Sequence, residues 1–116
     1  AREVNCTVLL KSHVDVISDG ARWKLNRTGN AGMTVGGTGD VLSGIVGAFL
    51  SQGYDPFQAS CAGAFINGAA GDFVFSEEGY HMVATDLIEK IPVVINDPMS
   101  HRKLRSLERD TGNWIT

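Results

Sequence analysis

Cysteine is scarce: the 116-residue chain holds two, Cys6 and Cys61, too far apart to form a CxxC pair. Neither a disulfide framework nor a thiolate zinc site is signalled, and two reduced thiols in a cytoplasmic protein are expected. Positive charge is not in excess either, since the formal net charge is -3. The field that draws a protein onto nucleic acid or anionic lipid is missing, so nucleic acid is not an expected partner. Long apolar runs are also lacking. The longest nearly unbroken one, Val41 to Leu50, falls well short of the roughly 20 residues that cross a bilayer, and no secretory signal is recognisable, so no membrane association is expected.

Hydrophobic residues make up 43% of the chain, enough at this length for one domain with a modest core. Cys6 to Leu10 reads as a central strand of a sheet covered on both faces. An apolar strand so close to the first residue suggests the later portion of a larger fold, or a chain that folds against a companion, and association into a homo-oligomer is expected. Val14 to Ser18, Asp19-Gly20 and the alternating Ala21, Trp23 and Leu25 predict a hairpin with a two-residue turn, one face apolar and one solvated.

Asn26 to Gly39 shows no period and is rich in Gly, Asn and Thr, which predicts a loop. From Asp40 the stripes Val41, Ile45, Phe49 and Leu42, Val46, Leu50 predict a mostly buried helix that Gly53 ends. Gly44 and Gly47 inside it imply close approach by a neighbour, since each lowers helix propensity by about 1 kcal/mol relative to Ala. A second helix starts at Asp55-Pro56, with Asp55 as cap, and its alanines and glycines leave a thin surface for another helix. A third is expected from Thr85, as cap, to Pro92. Residues 98–116 are charged, with Leu104 and Leu107 at helical spacing, and are expected to form a solvated helix or tail after a domain of residues 1–97. Strands, a loop and then helices indicate an α/β fold.

A glycine-rich turn that opens a helix offers unpaired N–H groups and the positive end of the helix dipole, a combination that binds phosphate. A P-loop would continue Gly-Lys-Ser/Thr, but Gly39 is followed by Asp40 and Val41. A dinucleotide fingerprint would need a further Gly or Ala where Leu42 stands. Asp40 is the informative departure. A carboxylate repels phosphate, so a pure anion cradle has no use for it, whereas a site that deprotonates a hydroxyl beside a phosphate does. The plainer alternative is that Asp40 only caps the helix and the glycines only turn the chain.

Asn30-Ala31-Gly32-Met33, followed by Gly36-Gly37-Thr38-Gly39-Asp40-Val41-Leu42-Ser43-Gly44, resembles the signature of the ADP-dependent NAD(P)H-hydrate dehydratases, which have a ribokinase-like fold. Lys11-Ser12-His13-Val14-Asp15 is similar to that family's Lys-Gly-x-x-Asp segment, and the resemblance runs from about Val8 to Ile91. It implies an α/β chain that is the later part of a three-layer α/β/α domain. The implied activity is repair: the ring hydroxyl of hydrated NADH or NADPH is phosphorylated by ADP, or by ATP in some relatives, and phosphate then leaves with the added oxygen. By motif match, Asp40 takes the hydroxyl proton and touches the hydrate, while backbone N–H groups of Gly37, Thr38 and Gly39 hold the moving phosphoryl group. Lys11, Ser12, His13, Val14, Asp15, Asn30, Ala31, Gly32, Met33, Thr34, Val35 and Gly36, with those same three residues, would line the ADP or AMP. Magnesium on the phosphates is implied by the resemblance.

Met33 is expected mainly as packing, with adenine contact as the alternative, and Asn67 mainly as a structural hydrogen-bonding residue, with a bond to the nucleotide as its alternative. His13 is expected to face solvent, and His81 and His101 show no metal-ligand spacing. Ser12 replaces the family's usual glycine, which alters backbone approach there. Domains of that family are well over twice this length, so the first half of the fold and much of the hydrate pocket are expected from a companion chain or segment. Two rivals stand beside this reading: a small-molecule kinase of the same fold, for a vitamin precursor or sugar, and a non-catalytic nucleotide-binding subunit.

Overall fold

The computed structural model describes residues 1–111. Three short strands, β1 (Val8–Leu10), β2 (Asp15–Ser18) and β3 (Trp23–Asn26), form an antiparallel sheet in the order β1-β2-β3. Val8 pairs with Ser18 and Leu10 with Val16, while Val16 pairs with Leu25 and Ser18 with Trp23. Four helices follow: α1 (Thr38–Ser51), α2 (Pro56–Glu78), α3 (Ala84–Asn96) and α4 (Ser100–Thr111). The hairpin forms where the sequence predicts, with its turn centred one residue later, but the face expected to be solvated, that of Arg22, Lys24 and Asn26, is the one turned to the helix at Pro56–Glu78. Asp19 N–H donates to the Arg22 carbonyl, and Gly20, at φ +96°, takes the left-handed position between them.

α2 is the spine. Asp55 caps it by accepting from Phe57 N–H, Pro56 stands in its first turn, and the small residues beyond let it be buried along most of its length. One side carries the core with Ile45 of α1, Leu87 and Val94 of α3, and Met82. Its other side covers one face of the sheet, where Ile17 is fully buried and Asn26 donates to the Ala64 carbonyl.

Several expectations are corrected. The strand at Cys6 to Leu10 is an edge strand within this chain, and Val8 and Leu10 are exposed. They share the face opposite α2 with Val16, Trp23 and Leu25, so the predicted apolar face exists, but among the described residues no helix covers it and residues 1–3 only border it. α1 begins two residues before Asp40 and is one-sided, burying Thr38, Leu42 and Ile45. Nothing comes within 4 Å of a methyl group placed on Gly44 or Gly47, so no neighbour in this chain requires those glycines.

α3 is not capped by Thr85. Asp86, in its first turn, reaches back to accept from Val83 N–H at 2.8 Å, and Val83 is the capping position. Nor does Pro92 end it. A proline removes a ladder N–H and crowds the carbonyl four residues back, yet the buried Leu87 and Val94 anchor α3 on both sides of it and carry the helix through. Finally, α4 is docked rather than wholly solvated, because its His101 is buried against α2. Residues 112–116 of the expected tail lie outside the described residues.

Candidate functional site

The Lys11 to Asp15 segment is a tight turn between β1 and β2. Asp15 holds it, one carboxylate oxygen accepting from Ser12 N–H at 3.1 Å and the other from Asn26 Nδ2 at 3.0 Å. The turn sends the Lys11 ammonium to the first turn of α1, where Nζ lies 3.0 Å from the position a Cβ on Gly39 would take. Any side chain at residue 39 would displace it. Ser12 and His13 are exposed and Val14 is half-buried.

The glycine-rich loop leaves β3, makes one 3-10 turn at Ala31–Met33, and enters α1 through Gly37. Asn30 opens that turn, its side-chain oxygen accepting from Gly32 N–H at 3.0 Å, while its Nδ2 donates to the Gly71 carbonyl and to Asp72. Asn30 therefore shapes the loop from within. Met33 seats its sulfur against Gly71 and Gly29, the packing role expected of it. Thr34 Oγ1 donates back to Ala31, and Thr38 Oγ1 donates to the Met33 carbonyl at 3.0 Å, which ties the end of the loop to its middle.

Gly37, at φ +95°, is a glycine with no side chain to cap α1, and none is supplied from elsewhere in the described residues. The first ladder bond runs from Val41 N–H to the Gly37 carbonyl. The N–H groups of Thr38, Gly39 and Asp40 precede it and are left for an outside acceptor. Gly36 and Asp40 are exposed beside them. Asp40 also stands at one end of a groove of about 650 Å³ between α1 and α3, lined by apolar residues such as Val41, Ile45, Phe49, Ile88 and Ile91.

The structure thus gathers Lys11, Gly37, Thr38, Gly39 and Asp40 at one helix start. It places Asp15, Asn30 and Met33 just behind them as supports. A cation beside the positive end of a helix is unfavourable, and an anion seated between the two reverses the sign. The arrangement can grip a phosphoryl group and keep a carboxylate at its edge.

Asp72 is the residue that sequence reasoning passed over. It is fully buried and receives the loop at Gly29 and Asn30. A lone carboxylate in the otherwise small and apolar stretch Ala69-Ala70-Gly71-Asp72-Phe73 was its one sequence signal.

A family profile described as NAD(P)H-hydrate dehydratase matches residues 1–93. A bifunctional NAD(P)H-hydrate repair enzyme of Archaeoglobus fulgidus is 56% identical over 95 residues, covering 82% of this chain and 20% of the relative. An ADP-dependent (S)-NAD(P)H-hydrate dehydratase of Cenarchaeum symbiosum is 48% identical over 95 residues, covering 82% of this chain and 33% of the relative. Among solved structures, YxkO of Bacillus subtilis superposes with a TM-score of 0.74 at 29% identity, over 83% of this chain and 37% of that one. The chain therefore spans between a fifth and a third of the length of these curated relatives. Its architecture is the α/β, ribokinase-like one that the motifs imply.

Proposed function

The chain belongs to the NAD(P)H-hydrate dehydratase family, and we propose that it carries the phosphoryl-handling half of an enzyme that uses ADP to restore hydrated NADH or NADPH. One observation carries this reading: Lys11 Nζ lies beside Gly39 at an uncapped helix start, with Asp40 exposed next to it. In the proposed reaction the hydrate's ring hydroxyl attacks the terminal phosphorus of ADP while Asp40 takes its proton. The bond to the bridging oxygen breaks and AMP leaves. Phosphate then departs with the added oxygen, and loss of a neighbouring ring proton restores the double bond. Lys11 and the N–H groups of Thr38 and Gly39 meet the charge as it spreads over the phosphoryl oxygens.

Lys11 to Asp15 and Asn30 to Gly39 are proposed as the nucleotide side of the site. Ser12, His13, Ala31, Thr34, Val35 and Gly36 contribute by lining it, and Asp15, Asn30, Gly32 and Met33 by fixing the backbone that does. Magnesium is proposed as a cation carried by the nucleotide's phosphates, where it would neutralise charge. Among the described residues no group of three or more His, Cys, Asp or Glu side chains could hold it by protein ligands alone.

No helix in the described residues is long and apolar enough to cross a membrane. With Cys6 and Cys61 both free thiols, cytoplasmic residence is the proposed setting. The bare sheet face supports a companion segment that completes the hydrate pocket, with self-association as the other way of covering it.

Titration calorimetry of ADP onto the full chain tests the site. Binding is expected, Lys11→Ala weakens it about tenfold or more, as loss of a charged hydrogen bond does, and Asp40→Asn changes it by less than about threefold. Absence of ADP binding by the unsubstituted chain would overturn the assignment. Mixed with a segment supplying the rest of the domain, the chain should remove NADH hydrate with release of AMP and phosphate. Asp40→Asn should slow that by about 100-fold or more, the range for loss of a general base. A stable phosphorylated product would instead mark a kinase.

A further inference from the structure

α4 begins after the family-matched residues 1–93, yet it reaches the glycine loop through a buried carboxylate. Asp72 is fully buried on α2. One of its oxygens accepts from Asn30 Nδ2 at 2.9 Å. The other meets Gly29 N–H at 3.1 Å, His101 Nε2 at 2.6 Å and Arg105 Nη1 at 3.0 Å. Facing a carboxylate, His101 Nε2 is the donor. Arg105 Nη1 also lies 3.5 Å from the Gly29 carbonyl oxygen.

Gly29 has φ +104°, a left-handed conformation that the chain adopts as it turns into the loop. Its N–H is held by Asp72 and its C=O is approached by Arg105, so both peptide groups flanking this residue are engaged. Asn30 comes next, held by the same carboxylate, and orients Gly32 through its own side-chain oxygen. The chain of contacts runs from α4 to Asp72, to Gly29 and Asn30, and on to the 3-10 turn that feeds the start of α1. A buried carboxylate shared by several donors is a stiff junction, because each partner lost leaves charge unsatisfied in a dry place.

We infer that His101 and Arg105 of α4 are positioning residues which, acting through Asp72, hold the glycine loop in the shape that receives a nucleotide phosphate. The inference rests on the nucleotide reading of that loop. α4 therefore acts as a strap across the back of the site: docked, it keeps the loop amides aimed; released, it lets Gly29 relax and the amides scatter.

Two measurements on the full chain test this: amide hydrogen exchange resolved by residue, and the affinity for ADP. In Arg105→Ala and in His101→Ala, exchange of the hydrogen-bonded loop amides, those of Gly29, Gly32, Met33 and Thr34, should rise about tenfold. Exchange in α1 beyond Leu42 should hold steady, and ADP affinity should fall about tenfold. Arg105→Lys, which returns a cation to Asp72, should recover most of the affinity. Loosening of α4 alone, with loop exchange and ADP affinity unchanged, would overturn the proposal. So would a uniform rise in exchange through α1 and α2, which would make α4 a general stabiliser. A loop that loosens in the variants of a protein that binds no ADP would leave the tether standing and overturn the nucleotide reading instead.

Discussion

Gly68 of α2 lies so close to Thr28 that a Cβ at residue 68 would fall 2.7 Å from the Thr28 carbonyl carbon. Backbone cannot step aside as the tip of a side chain can, so Gly68→Ala forces either α2 or the start of the glycine loop to move. Strain of this kind costs about 1–3 kcal/mol, more than the gain of up to about 1 kcal/mol from better helix propensity. Thermal unfolding should show a lower midpoint for Gly68→Ala. A midpoint unchanged or raised would mean that the contact is looser than described.

Gly47 is the opposite case. It sits on the exposed side of α1, and among the described residues no atom beyond the adjoining backbone of its own helix lies within 4 Å of the position its Cβ would take. Gly47→Ala should therefore stabilise the chain by about 0.5–1 kcal/mol through backbone entropy, read as a shift of the urea midpoint at constant slope. Should the same substitution weaken association with the proposed completing segment, the glycine is explained by a neighbour outside this chain.

These two glycines show what the sequence discloses and what it hides. The thin surface of α2 was legible because alanines and glycines recur along it, and Asp55-Pro56 marked its start. The glycine-rich turn was legible because Gly37 and Gly39 flank Thr38 ahead of a helix pattern, and the structure sets the Lys11 ammonium beside it. The exposure of Val8, Leu10 and Trp23 was not, since an apolar run states what a strand prefers to touch and not whether the partner is present. Pro92 misled for a related reason: propensity predicts a stop, and burial of Leu87 and Val94 overrides it. His101 pairs with a residue 29 positions away, and no local period announces such a contact.

Asn67, expected to make a structural hydrogen bond, leaves one polar atom unpaired. Its side-chain oxygen is buried and has no hydrogen-bond partner among the described residues. Leaving a buried acceptor unpaired costs about 1–3 kcal/mol, and leucine keeps the branching of asparagine while filling somewhat more room. Asn67→Leu is expected to raise the unfolding free energy by up to about 1 kcal/mol in urea titration, the gain from removing the unpaired oxygen less the cost of the larger side chain. A loss of stability would show that the oxygen has a partner, such as a bound water.

The hairpin tip supplies a pH dependence. Asp19 is pulled down from the ordinary 3.8 to about 2, first by the backbone N–H of Arg22, then by that of Ala21, then by the Arg22 guanidinium. A folded value below the unfolded one means that the turn's stabilisation is complete above about pH 4. It is lost as the pH falls through about 2. Amide resonances of Ala21 and Arg22 should shift together with a midpoint near 2, and Asp19→Ala should abolish the transition. A midpoint near about 4 would mean that the turn leaves the carboxyl unbonded.

Trp23 and Leu10 stand on the bare face of the sheet, 70% and 61% exposed. With Val8, Val16 and Leu25 they form a continuous apolar surface that a soluble monomer rarely leaves open. Because neither side chain is buried within the chain, replacing both by lysine removes little native packing, and surface changes of this kind stay within about 0.5 kcal/mol. Leu10→Lys with Trp23→Lys should therefore leave thermal unfolding almost unmoved. The two charges would nonetheless have to be desolvated by any partner seated there, at a cost far larger than the packing lost. Sedimentation should show less self-association, and mixing with the completing segment should no longer yield hydrate removal. Full complementation by a stably folded double variant would place the companion on some other surface, with the groove between α1 and α3 as the next to examine.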